Sequence, residues 1–262
     1  MMPKDKKLFL LDMDGTLYLG DRLFDCTLPF LESVKKSGGK YLFLTNNSSK
    51  SAASYVEKLK KLGIDAAEDD FVTSVNATSD YLLKHHKYEK IYAFGTASFR
   101  KELAENRLCI TTEPTDDVSV LVIGFDTELT FEKLEHACIL LNRGVTFIAT
   151  NPDWVCPTVY GSVPDCGSVC EMLYRATGKR PRVIGKPQPD MVYMALSKEG
   201  FAPEDALLIG DRLYTDIACG NAAGIDTAFV LSGEGTLKDI EETGVVPTYI
   251  LQDVGQIFSP SR

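Results

Sequence analysis

The apolar run Leu8-Phe9-Leu10-Leu11 stops abruptly at Asp12-Met13-Asp14-Gly15-Thr16. Four consecutive apolar residues without polar alternation predict a short strand buried on both faces, the pattern of a parallel sheet covered by helices. Asp and Gly then close it at a turn, which leaves two carboxylates at the strand's carboxyl end. In open α/β sheets ligands bind in the crevice outside those ends, and paired acids there are costly unless positive charge offsets them. A divalent cation would serve. An acidic surface turn is the plainer alternative, and the rest of the chain has to choose between them.

The same arrangement recurs along the chain. Thr27 to Lys36 carries Phe30, Leu31 and Val34 at helical spacing and stops at Gly38-Gly39. Lys40 to Leu44 then reads as a second buried strand, ending in Thr45-Asn46-Asn47-Ser48-Ser49. These are helix-initiating residues, and with Val56, Leu59 and Leu62 behind them they predict an anion-binding helix N-terminus at Thr45. Arg182 to Ile184 is a short strand before Gly185-Lys186-Pro187, and Ala206 to Ile209 is another, leading into Gly210-Asp211 and Asp216. Right-handed crossovers put the carboxyl ends of parallel strands on one edge, so these tips can converge. Hard oxygen ligands suit Mg²⁺, a lysine neutralises an anion, and a hydroxyl with backbone amides binds oxyanions. Phosphoryl transfer is the chemistry that needs this set. Taken singly, Thr45 is equally a helix cap, Asp216 a helix-start acid and Lys186 a surface lysine.

Between Thr45 and Lys186 the alternation of strands and helices starts again. Lys90 to Phe94, Val118 to Ile123 and Val145 to Ala149 read as buried strands, separated by helices near Ala97 to Glu105 and Phe131 to Asn142. The expected fold is α/β: a doubly wound parallel sheet formed by residues 1–79 and 180–262, with a second α/β domain, 80–179, inserted into it. Within the insert, Asn151-Pro152-Asp153 is a polar loop, and nearby Trp154 and Tyr160 are expected to pack in the interior, with stacking on an aromatic substrate as the alternative.

Composition narrows the function classes. The net charge of −9 is spread without blocks of like charge, which argues against a nucleic-acid partner. No charged-then-apolar leader and no apolar run of about eighteen residues is present, so neither a signal peptide nor a membrane span is expected and the cytoplasm is the expected location. The seven cysteines are scattered, without a C-x-x-C pair, and Cys166 and Cys170 read as buried thiols. Gly185-Lys186 lacks the upstream glycine and following Ser/Thr of a Walker nucleotide site. Self-association is left open.

Asp12-x-Asp14-Gly15-Thr16, Thr45, Lys186 and Gly210-Asp211 with Asp216 resemble, in order, the four motifs of the haloacid dehalogenase superfamily, in its Asp-x-Asp phosphatase branch. The spacing and the phrases Leu44-Thr45-Asn46-Asn47-Ser48, Ala149-Thr150-Asn151-Pro152-Asp153 and Ile184-Gly185-Lys186-Pro187 are similar to the NagD-like, 4-nitrophenylphosphatase type, in which a large α/β cap is inserted. The resemblance covers nearly the whole chain. It implies that Asp12 is the nucleophile, forming an aspartyl-phosphate, and that Asp14 protonates the leaving oxygen and then activates water. It further implies that Asp12, the backbone carbonyl of Asp14 and Asp211 hold Mg²⁺, with Asp216 orienting Lys186 or a metal-bound water. Thr45, Asn46 and Asn47 would bind the phosphoryl oxygens, Lys186 would offset charge repulsion, and Asn151 and Asp153 would contact the leaving group. The implied partner is a small phosphorylated metabolite: a sugar phosphate, glycerol phosphate, nucleoside monophosphate or pyridoxal phosphate. A phosphotransferase or phosphomutase would share the chemistry. A silent phospholigand-binding protein would lack Asp12, Asp14 or Lys186, and this chain keeps all of them.

Overall fold

The computed structural model describes residues 3–158 and 160–258. The opening apolar run is strand β1 (Leu8–Leu11), followed by the small hairpin β2 (Tyr18–Leu19) and β3 (Arg22–Leu23), then α1 (Thr27–Lys36), β4 (Lys40–Thr45), α2 (Ala52–Lys61) and β5 (Phe71–Thr73). Next come α3 (Ser74–His85), β6 (Lys90–Phe94), α4 (Ala97–Glu105), β7 (Cys109–Thr111), β8 (Val118–Ile123), α5 (Phe131–Arg143) and β9 (Thr146–Ala149). A hairpin of β10 (Val155–Thr158) and β11 (Gly161–Pro164) leads to α6 (Cys166–Thr177) and β12 (Arg182–Val183). The chain closes with α7 (Asp190–Glu199), β13 (Ala206–Gly210), α8 (Ala218–Ala223), β14 (Asp226–Val230), α9 (Leu237–Thr243) and β15 (Tyr249–Leu251).

These elements form two compact units. The first comprises the chain up to Thr45, Tyr55–Val72 and everything from Lys186 on; the second comprises Asn46–Ser54 and Thr73–Gly185. The first unit is built on a sheet of order β15-β14-β13-β1-β4-β5, in which β4, β1, β13, β14 and β15 run parallel. Strand order therefore reverses beside β1, the point at which a doubly wound sheet opens its ligand crevice. Every residue of β1 is buried, as the unbroken apolar run requires, and Phe9 packs edge-on against Phe30 of α1 at 6.0 Å. Leu11 lies in register with Ile209 on one side and Phe43 on the other, so the residues that follow all three strands leave the sheet side by side.

The second unit has its own parallel sheet, of order β12-β9-β8-β6-β7. Its interior gathers Phe94, Leu121, Ile123, Leu140, Leu141 and Leu173, with Cys166 and Cys170 buried among them as expected of inert thiols. The strand expected before Lys186 belongs here: Arg182 and Val183 pair with Ile148 and Ala149 of β9. Two further expectations are corrected. Thr45 does not begin a helix, because β4 runs through it and α2 starts only at Ala52; the intervening turn is closed by the Asn47 side chain, which accepts from the Ser49 amide at 2.9 Å. Trp154 and Tyr160 do not pack inside, being 56% and 79% exposed. Among the described residues no helix is long and apolar enough to cross a membrane.

Leu10 is fully buried at the centre of the first sheet. Leu10→Ala is expected to lower unfolding free energy by about 2–5 kcal/mol in a denaturant titration, the range for a large cavity in a close-packed core.

Candidate active site

The ends of β1, β4 and β13 place their polar residues around one ammonium. Lys186 Nζ donates to Asp12 Oδ1 at 2.8 Å, to Asp216 Oδ1 at 2.6 Å and to the Leu44 carbonyl at 3.2 Å. Asp12 follows β1, Leu44 lies near the end of β4, and Asp216 lies in the π-helical segment Leu213–Ile217 after β13, so one side chain ties three neighbouring strand ends together. Burial opposes the charge on Lys186, but Asp12 and Asp216 outweigh it and hold the amine protonated.

Asp211 follows β13 directly and is 1% exposed. Its Oδ2 accepts from the Glu234 amide at 2.7 Å, and its Oδ1 is buried with no hydrogen-bond partner. Backbone closes round this carboxylate so tightly that a Cβ on Gly15 or Gly233 would overlap it; Gly15 also has φ +85°, which only glycine adopts cheaply. Burial, then the charges of Asp12 and Asp216, push the Asp211 carboxyl up to about 8. Asp216 is pushed up to about 6 by burial, with the Lys186 ammonium pulling the other way. Oxygens of Asp12, Asp211 and Asp216 lie within 4.8 Å of one another. Three carboxylates, when ionised, outnumber the positive charges of Lys186 and the nearby Arg212, and a divalent cation would neutralise the excess. Both Asp216 oxygens are committed, one to Lys186 and one to the Arg212 amide at 3.2 Å, whereas Asp12 Oδ2 accepts only a long bond from the Thr16 hydroxyl at 3.4 Å and Asp211 Oδ1 accepts none, so Asp12 and Asp211 have the oxygens best suited to a cation.

Asp14 is different. It is exposed at the turn, accepts weakly from the Gly20 amide at 3.5 Å, and has Lys58 Nζ 3.9 Å from its Oδ2. Burial of part of the carboxyl raises its pKa and Lys58 opposes the rise. Lys58 also sits over the Tyr18 ring, 4.1 Å from its centroid. Lys58 and Arg212, which pairs with Glu234 at 2.8 Å, are charged neighbours that the motifs do not announce. Arg212 is adjacent to Asp211 in the chain, a signal that was available; Lys58 is brought to Asp14 by the packing of α2, which leaves none.

Thr45 is buried at the last position of β4 in the first unit. The remaining residues singled out from the sequence belong to the second unit. Asn46 donates to Asp153 Oδ2 at 2.9 Å, Asn151 donates to the same oxygen at 2.8 Å, and Asn47 is occupied with Ser49. Asn151 is fully buried and Asp153 is 5% exposed.

Residues 9–109 match the haloacid dehalogenase-like hydrolase family, and residues 183–257 match a second, HAD-hydrolase-like family. An acid sugar phosphatase of Staphylococcus aureus is 35% identical over 98% of this chain and 98% of its own. The chain belongs to the haloacid dehalogenase-like hydrolases. Within them it is a NagD-like phosphatase, as its motifs imply. The 4-nitrophenylphosphatase of Thermotoga maritima superposes with a TM-score of 0.91 at 39% identity, covering 97% of each chain. The glycerol phosphate phosphatase of Mycobacterium tuberculosis, solved in complex with magnesium, superposes with a TM-score of 0.92 at 31% identity, covering 98% of this chain and 78% of its own.

Gly210 abuts Asp216 so closely that a Cβ there would overlap the Asp216 side chain. Gly210→Ala should push Asp216 off Lys186 and lower kcat/KM by about tenfold or more, since small displacements at a reacting centre are amplified in rate. Steady-state assay of the purified variant checks this.

Proposed function

We propose that this chain is a Mg²⁺-dependent phosphomonoester hydrolase acting through an aspartyl-phosphate on a small phosphorylated metabolite of the sugar or polyol phosphate class. The observation that carries the reading is the Lys186 ammonium fixed between Asp12 and Asp216, with the bare buried oxygen of Asp211 beside them. The names of the Staphylococcus and Mycobacterium relatives support the substrate class, and the Mycobacterium complex supports the ion.

Asp12 is the group in this cluster placed to attack phosphorus. It is an ionisable carboxylate at a strand end, 18% exposed at its side chain, and oriented by Lys186 through one oxygen. Lys186 cancels charge that would otherwise repel an anionic substrate from an anionic nucleophile. Thr45 and the amide of Asn46 are assigned to the phosphoryl oxygens. Asp14, with its raised pKa and open position, protonates the leaving oxygen and later takes a proton from the attacking water. Asp12, Asp211 and the backbone carbonyl of Asp14 would hold Mg²⁺, which when bound supplies Lewis-acid polarisation of the phosphoryl group. Asp216 holds Lys186. The second unit is assigned as the cap, since its sequence is inserted between Thr45 and Lys186.

Asp12→Asn should fold, with a thermal midpoint near that of the parent, and lose roughly three or more decades of turnover in a phosphate-release assay. A second prediction follows from the raised carboxyls. In the absence of metal, Asp211 and Asp216 keep protons that the unfolded chain, with carboxyls near 3.8, has already lost. The native state thus binds more protons, and its stability falls as pH rises from 3.8 towards the folded value of about 8. Mg²⁺ competes with those protons, so the rise in Tm on adding Mg²⁺ should be larger at pH 8 than at pH 6, read by differential scanning fluorimetry at about equal ionic strength.

A further inference from the structure

The second unit contains a buried polar knot that the proposed chemistry leaves unused. Asp153 Oδ2 accepts from both Asn46 Nδ2 and Asn151 Nδ2, and Asn151 Nδ2 also donates to Asp165 Oδ1 at 3.1 Å. Asn151 Oδ1 accepts from the Thr150 hydroxyl at 2.8 Å, and that hydroxyl shares a hydrogen bond with Ser48, whose Oγ accepts the Phe125 amide at 2.7 Å. Asn46 is held at its backbone as well, where its carbonyl accepts from the Ser74 hydroxyl at 2.7 Å. Gly185 lies against the same residue: a Cβ on it would overlap the Thr150 carbonyl and reach 2.7 Å from Asn46 Oδ1 and 3.2 Å from the Ser74 side chain. The Gly185 amide donates to that Thr150 carbonyl at 2.8 Å.

Three crossings of the chain are therefore gathered round Asn46: the one leaving Thr45, the one arriving at Thr73–Ser74, and the one leaving through Gly185 to Lys186. Two of them are peptide-bonded to residues assigned to the phosphoryl group, Thr45 and Lys186. Asp153 is the charged acceptor that orients the Asn46 side chain at their meeting point, and charge-assisted bonds are the strong ones in a buried network.

We propose that Asp153 is a positioning residue for phosphoryl transfer: through Asn46 it fixes the backbone that delivers Thr45 and, across Gly185, the backbone that delivers Lys186. The inference rests on the proposed phosphatase chemistry. It gives Asp153 a role common to all substrates, rather than one that depends on the leaving group. Asp153→Asn keeps the accepting oxygen for Asn46 and Asn151, but it removes the charge and places an amide nitrogen where the buried Asp153 Oδ1 has no hydrogen-bond partner.

The test is steady-state kinetics of the full chain with Mg²⁺, on 4-nitrophenyl phosphate and on glycerol phosphate, for the parent, Asp153→Ala, Asp153→Asn, Asn46→Ala and the Asn46→Ala/Asp153→Ala pair. Leu140→Ala, in the apolar interior of the same unit, reports the effect of destabilisation alone. Asp153→Ala is expected to lower kcat about tenfold to a hundredfold on both substrates alike, the scale of a small misplacement of reacting groups. Asp153→Asn is expected to lose less than Asp153→Ala, because it keeps an accepting oxygen without the charge, and the double variant to be little worse than either single one, because both remove the same link. Multiplicative losses, a loss confined to glycerol phosphate, or a loss no greater than that of Leu140→Ala at matched Tm would each overturn the positioning role. A parent that releases no phosphate from either substrate, with Asp12→Asn indistinguishable from it, would overturn the phosphatase reading and this inference with it.

Discussion

An ammonium ion buried among the ends of three strands is the constraint on which this structure turns. Lys186 is 2% exposed, and an isolated charge at that depth would cost several kcal/mol. It is tolerated because Asp12, Asp216 and the Leu44 carbonyl each accept a hydrogen bond from it. The same bonds run in the other direction. Asp216 is fully buried and needs the lysine as much as the lysine needs it, so the fold and the site are stabilised by one set of contacts.

Two aspartates separated by a single residue are thereby given different surroundings, which suit the different roles proposed for them. Asp12 points to Lys186 and is pinned. Asp14 faces outward beside Lys58 and Tyr18, loosely held, with a pKa raised by partial burial. A nucleophile needs a fixed position and a full charge; an acid that must later act as a base needs a proton within reach of the working pH. The turn at Gly15, with its positive φ, is what sends the chain round after Asp14 while leaving backbone packed against Asp211.

How much of this was legible depended on whether local pattern or tertiary packing decided the matter. Strands β1, β4, β6, β8 and β13 are largely apolar runs legible within a residue or so of their observed bounds, as are α1, α4 and α5. The convergence of Asp12, Asp211 and Asp216 follows from strand ends sharing an edge and is readable, whereas Lys186 reaches them from a segment that follows β12 of the other sheet. The two-residue strand β12 was assigned to the wrong sheet, because Arg182 and Val183 carry no periodicity and only pairing with β9 decides their partner. Thr45 looked like a helix cap because Asn and Ser follow it, whereas those residues close a turn of their own. The sequence Asn151-Pro152-Asp153 says turn, and says nothing of whether its side chains face water or, as here, lie buried on Asn46 and Asp165. Lys58 had no signal at all.

The assignment of β12 bears on how such enzymes can be taken apart. Lys186 is reached from the last strand of the inserted unit, whose pairing with β9 anchors the segment just before Gly185. The chain therefore leaves the insert hydrogen-bonded as far as Gly185, whose amide donates to the Thr150 carbonyl. A chain shortened by joining Val72 directly to Lys186 would keep every proposed catalytic side chain while losing β12 and the hydrogen bonds that hold the backbone as far as Gly185.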